Sequence, residues 1–221
     1  MKRFLMVLLV LVTAVRLAAA QDEGIMKDFT VSGDLRMGAN YLPLFGIHAS
    51  ENMALYTELM AIHKSGFGVG YFAFDDFSKE AFGRIRFVDA LYTKTWGKFS
   101  MYGAMEYVWY DNNKNGECVM PYAIGTYTHN SWSFQIGNMV TYFPHRQEDK
   151  YEFTMYGKIM KNVFRDIDMH MTIWYDNLYN ANSHFYGAAG LKVSLPKGFY
   201  VMSTLLYREK AECLLNFGWR F

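Results

Sequence analysis

The chain is short of several things, and each shortage removes a class of protein. After residue 20 it contains no long uncharged apolar run. No membrane-spanning helix is therefore expected, because one needs about 20 consecutive apolar residues. An excess of one charge is missing too: 22 Lys and Arg stand against 21 Asp and Glu, a formal net charge of +1. Nucleic acid is excluded as a partner on that ground, since binding phosphates takes a basic surplus. The only cysteines are Cys118 and Cys213. Two widely spaced thiols make no metal motif, and in an exported chain their pairing stays open. No G-x-S-x-G, Gly-rich phosphate loop or metal-ligand cluster occurs, so neither a cofactor nor a metal is expected.

What is present begins at the N-terminus. Lys2 and Arg3 precede an apolar stretch from Phe4 to Val15, and Ala18, Ala19 and Ala20 follow. This is the order of a secretory signal peptide, with cleavage expected after residue 20. Residues 21–221 then form one domain. Across the whole chain the hydrophobic content is 52% and the aromatic content 18%, yet after residue 20 apolar residues are interleaved with polar ones.

That interleaving has period two. Ile167, Met169, Met171, Ile173 and Tyr175 alternate with Asp168, His170, Thr172, Trp174 and Asp176. A strand separates these sets onto opposite faces, whereas a helix mixes them. Phe185–Leu195 and the last eleven residues alternate in the same way. The rule gives twelve strands near 28–38, 52–62, 66–75, 84–94, 98–110, 118–128, 132–142, 152–161, 167–177, 184–195, 198–208 and 211–221, with ten to fourteen allowed. One strand conflicts with the scheme: Asp89 shares a face with Ile85, Phe87 and Leu91. The expected resolution puts Val88, Ala90 and Tyr92 toward lipid and Arg84 and Arg86 at headgroup level.

The connections alternate as well. Ala39–Glu51, Asp76–Gly83, Asp111–Glu117, Phe143–Tyr151 and Leu178–Ser183 are mostly long and polar, with a short sixth at Glu209–Lys210. Between them lie tight turns at His63–Ser65, Thr95–Gly97, His129–Ser131, Asn162–Asp166 and Pro196–Lys197. Long loops on one side, tight turns on the other and an even strand number describe an outer-membrane barrel. A soluble β-sandwich gives no reason for such alternation. Rings fall at both strand ends: Trp96, Phe99, Trp132, Phe164, Phe199 and Trp219 at the turn side, and Trp109, Tyr110, Tyr142, Phe143, Tyr151, Tyr175, Phe185 and Tyr207 at the loop side. They match the interfacial aromatic girdles of membrane barrels.

On these residues the chain resembles bacterial outer-membrane β-barrel proteins, small porin-like or nucleoside-channel-like barrels among them. The resemblance covers residues 21–221 at the level of the class. It implies an all-β, closed antiparallel up-and-down transmembrane barrel in the outer membrane of a Gram-negative bacterium, surrounded by lipid. The ending with Phe217, Trp219 and Phe221 resembles the class's C-terminal assembly signal, which implies recognition by the barrel assembly machinery.

The expected function is passive diffusion of small hydrophilic solutes through a mixed-charge lumen. The inward positions expected to line it are Asp34, Arg36, Glu58, Glu106, Lys158, Asp168, His170 and Lys192, with Gln135 and Asp89 alongside. Inward rings at Tyr56, Phe72, Phe74, Tyr156, Trp174 and Tyr186 narrow it. Twelve strands lie between the eight that side chains fill and the sixteen that leave a channel. The alternative is therefore a plugged barrel working through its external loops, of which Leu42–Ile47 is unusually apolar. A second alternative is a lipid-modifying enzyme using Ser183 and His184. Adjacent strand residues point to opposite faces, so that pair is poorly placed and no catalytic residue is expected.

Overall fold

The computed structural model describes residues 27–42, 47–78, 83–111, 113–177, 184–208 and 210–221. The signal-peptide segment, most of the apolar Leu42–Ile47 loop and Ser183 lie outside the described residues, as does the side chain of His184. Among the described residues the alternating segments form twelve strands: β1 (Phe29–Leu42), β2 (Ile47–His63), β3 (Phe67–Asp75), β4 (Arg84–Trp96), β5 (Phe99–Tyr110), β6 (Cys118–His129), β7 (Trp132–Tyr142), β8 (Tyr151–Phe164), β9 (Ile167–Asp176), β10 (His184–Ser194), β11 (Phe199–Tyr207) and β12 (Ala211–Arg220). Each pairs antiparallel with its sequence neighbours, and β1 pairs with β12 to close the barrel.

Closure runs from Asp34↔Arg220 to Gly38↔Asn216. The terminal residue extends it, since Gly33 and Phe221 exchange backbone hydrogen bonds of 2.9 and 3.0 Å. The Phe221 ring lies over Gly33, where a Cβ would collide with it. A closed ladder leaves no unpaired edge, which hydrocarbon requires of a sheet.

The turns at the end opposite the long loops, called the periplasmic end on the general pattern of outer-membrane barrels, are tight because residues there adopt positive φ. Gly97 (59°) and Asn130 (53°) each open a two-residue turn, the geometry that matches strand twist in a hairpin.

Alternation decides the two faces. The outer face is apolar and uncovered: Val69 is 61% exposed, Ile136 63%, Ile173 56% and Leu205 54%. A soluble monomer rarely shows so continuous an apolar band; a lipid-facing band of a membrane barrel does. Ring pairs flank it, such as Phe99–Tyr127 (4.8 Å) at the turn side and Tyr175–Phe185 (4.8 Å) at the loop side.

The fourth strand follows the expected resolution. Ile85, Phe87, Asp89 and Leu91 are buried inside, and Val88 and Ala90 are exposed. Arg84 and Arg86 stay at the strand's outer end, drawn to Asp75 at 3.4 and 3.7 Å. Two of the expected girdle rings do otherwise. Phe143 is buried in an interior cluster and Tyr110 packs against it. Tyr110 shares the parity of Glu106 and Val108, so its strand turns it inward. Phe143 is held where its backbone N–H meets the Lys150 carbonyl at 2.9 Å and the Arg146 guanidinium lies 3.3 Å above its ring.

The interior has two unlike halves. Toward the external loops, Phe74, Ile85, Phe87, Val108, Cys118, Met120, Met139 and Phe143 form one apolar cluster. Trp174, Tyr186, Ala188, Leu206 and Leu214 form another on β9–β12. Toward the periplasmic turns the interior is polar and hollow.

Candidate functional site

The hollow is a cavity of about 710 Å³ that reaches the β6–β7 turn at Asn130 and Ser131. It lies on the inward faces of β7–β12, β1 and β2. Seven of the eight residues expected to line a lumen border it: Asp34, Arg36, Glu58, Lys158, Asp168, His170 and Lys192, with Gln135 beside them. They divide into two groups.

The first sits at the closing seam. Asp34, 6% exposed, accepts a hydrogen bond from Tyr200 Oη at 2.7 Å and one from Arg220 Nη2 at 3.1 Å. Tyr56 Oη donates to Glu58 at 2.6 Å, and the Arg36 guanidinium stacks 4.3 Å over the Tyr56 ring. Each carboxylate of this group thus has a donor. A buried carboxylate without one would be expensive.

The second group lies across β7–β10. Lys158 is the cross-strand partner of Gln135 and Thr172, and Lys192 that of Asp168. Among the described residues neither lysine has a carboxylate within ion-pair distance. Lys192 Nζ instead lies 4.3 Å above the Tyr200 ring, a cation–π seat that fixes the ammonium without neutralising it. His170 stands beside them on β9.

Glu106 points inward but does not border this cavity. It is the direct cross-strand partner of Asp89, and both are 4% exposed. Tyr102 and Tyr122, stacked at 5.7 Å, donate to Asp89 Oδ2 at 3.3 and 3.2 Å. This acidic pair therefore forms a separate polar node below the apolar cluster of β3–β7.

Sequence reading overlooked Tyr200 and Arg220 at the seam. Arg220 was accessible by parity, since Asn216 and Gly218 on the same strand face inward. Tyr200 begins a strand whose outward Phe199 marks the other face. The cysteines lie far apart and free: Cys118 is buried inside on β6 and Cys213 is exposed outside on β12. Phe217, Trp219 and Phe221 occupy the outward parity of the last strand, with Phe217 54% exposed.

No protein-family model matches the chain, and no curated protein sequence matches it. Solved structures do. The KdgM porin superposes with a TM-score of 0.63 at 12% identity, over 86% of this chain and 98% of that one. A KdgM porin in complex with disordered oligogalacturonate gives 0.65 at 13%, over 86% and 98%. The NanC porin, in a rhombohedral crystal form, gives 0.57 at 14%, over 84% and 97%. Identities this low carry the fold and nothing finer. The fold that they share with this chain is the closed antiparallel barrel of bacterial outer-membrane proteins.

Proposed function

We propose that the protein is an outer-membrane channel for passive diffusion of small hydrophilic solutes, selected by the mixed charge of its periplasmic vestibule. The observation that carries this reading is the roughly 710 Å³ cavity walled by charges of both signs. A plug would pair its charges and fill its space. Here the Asp34 and Glu58 carboxylates have donors, while the Lys158 and Lys192 ammoniums face the hollow with no carboxylate within ion-pair distance among the described residues. Charged rings of this kind orient and select permeating solutes. Arg36, Lys158, His170 and Lys192 are the proposed selecting cations, with Asp34, Glu58 and Asp168 as their counterweights. Glu106 belongs to the wall beyond the vestibule. One structural neighbour is solved with oligogalacturonate, which makes that the first solute to test here.

In the same proposal the first 20 residues direct export and are removed. Phe217, Trp219 and Phe221 present the last strand to the assembly machinery from the outward face. The two apolar clusters of the external half favour a second reading, a plugged barrel that acts through its loops.

Single-channel recording of the refolded mature chain in a planar bilayer decides between them. Discrete, salt-dependent steps are expected. A folded, heat-modifiable barrel that gives none overturns the channel reading in favour of the plug.

A further inference from the structure

Three inward rings of the vestibule stand directly across from a glycine. Tyr156 on β8 faces Gly137 on β7, His170 on β9 faces Gly190 on β10, and Tyr200 on β11 faces Gly218 on β12. In each pair the ring lies over its glycine so closely that an added Cβ would collide with it. None of the three glycines has a positive φ. Their backbone is therefore open to any residue, and at Gly137 and Gly218 the ring is the first thing that a side chain would meet. In the external half the corresponding cross-strand neighbours are both bulky: Phe72 faces Phe87 and Phe74 faces Ile85.

We infer that Gly137 and Gly218 set the bore of the vestibule, by giving the Tyr156 and Tyr200 rings a place to lie flat along the wall. This deepens the channel reading and rests on it. A ring lying along the wall takes up the volume that a cross-strand side chain would have filled. A ring lifted by a Cβ swings toward the barrel axis, where a twelve-stranded barrel has little width to spare. The same seat also holds the selecting charge, because the Lys192 ammonium lies 4.3 Å from the centre of the Tyr200 ring. Gly190 is set aside as a probe, because its Cβ would also strike the Ser203 carbonyl oxygen of the neighbouring strand. At Gly137 the three atoms nearest to an added Cβ all belong to the ring of Tyr156.

The bore is read by the size of neutral polyethylene glycol that still enters the channel and lowers its unitary conductance. G137A and G218A, each checked for heat-modifiable folding, are recorded beside the wild type. The expected result is a smaller polymer cut-off and a conductance lower by roughly a third. The double variant G137A/Y156A should recover at least the wild-type cut-off, because the lifted ring is gone. If G137A does not fold, G137A/Y156A is compared with Y156A, and equal bores are expected. A folded G137A with the wild-type cut-off overturns the inference and leaves the channel reading intact. So does a double variant narrower than Y156A. A silent wild type overturns the channel reading, and the inference with it.

Discussion

The external and periplasmic halves of the barrel are made from the same strands and the same alternation, yet one is packed and the other hollow. The difference lies in what meets across the ladder. In the external half apolar rings and aliphatic chains oppose one another and close up, with Ile85 and Val108 each 1% exposed. In the periplasmic half a ring is opposed by glycine, or an ammonium by an amide or a hydroxyl, and space remains. A barrel of intermediate size is therefore neither filled nor open by virtue of its strand number. Its inward residues decide the matter layer by layer.

This contrast can be broken most sharply on the packed side. Phe87 touches Phe74 and Phe72 with ring centroids 5.9 and 6.4 Å apart. Phe87→Ala should destabilise the barrel by about 3–5 kcal/mol, measured as the urea midpoint of the heat-modifiable band. A Lys158→Ala change in the hollow half should cost under about 1 kcal/mol in the same titration. Equal costs would mean that the two halves do not differ in packing.

The next largest effect concerns the loop that caps the packed half. Arg146 Nη1 holds Glu152, 5% exposed, at 2.7 Å while its guanidinium covers Phe143. Arg146→Ala leaves that carboxylate without its cation and should cost about 2 kcal/mol. Adding Glu152→Gln should recover most of it. A single variant as stable as the wild type would show that the loop is not fastened there.

How far these halves were legible beforehand varies by feature. Period two placed most strand ends to within a few residues, and β7 spans Trp132–Tyr142, matching its expectation; β1 and β2 instead run on to Leu42 and start at Ile47, taking up most of the expected Ala39–Glu51 loop. β8 runs on to Phe164 because a register shift after Asn162 absorbs an extra residue, and a shift of that kind leaves no trace in alternation. Parity also sorted the inward charges, since it needs only one strand at a time. What it could not supply was the pairing of one strand's residues with the next strand's. The ring-on-glycine seats and the node of Asp89 with Glu106 both depend on register. So does the separation of Glu106 from the lysines. Phe143 was misjudged for another reason: it sits just past the end of β7, where alternation stops and loop contacts take over.

On the hollow side the lysines are the sensitive point. K158E together with K192E should turn an anion-favouring reversal potential into a cation-favouring one, a severalfold change in permeability ratio, roughly threefold or more. Folding should be little affected. An unchanged reversal potential would remove these lysines from the selecting group.

The smallest perturbation leaves the barrel intact and only probes it. Cys118 is 2% exposed within the packed half, so it should resist a water-soluble maleimide in the folded protein. A cysteine placed by Gln135→Cys in the hollow half should react. Rapid labelling of Cys118 would show that the apolar cluster around it is loosely packed.

The seam between β1 and β12 has a consequence for the order of events during biogenesis. Its side-chain contact from Arg220 to Asp34 spans 186 residues of sequence, and its backbone bonds reach from Gly33 to Phe221. Until β12 has been made, β1 has no partner on one side and β11 has none on the other. Neither edge is tolerable in hydrocarbon, and contacts between such distant residues form late because a long loop must first be closed. Partial barrels are therefore not stable stopping points. The chain must be held whole and unclosed on its way to the membrane, and a truncation that removes β12 should lose the entire sheet rather than a twelfth of it.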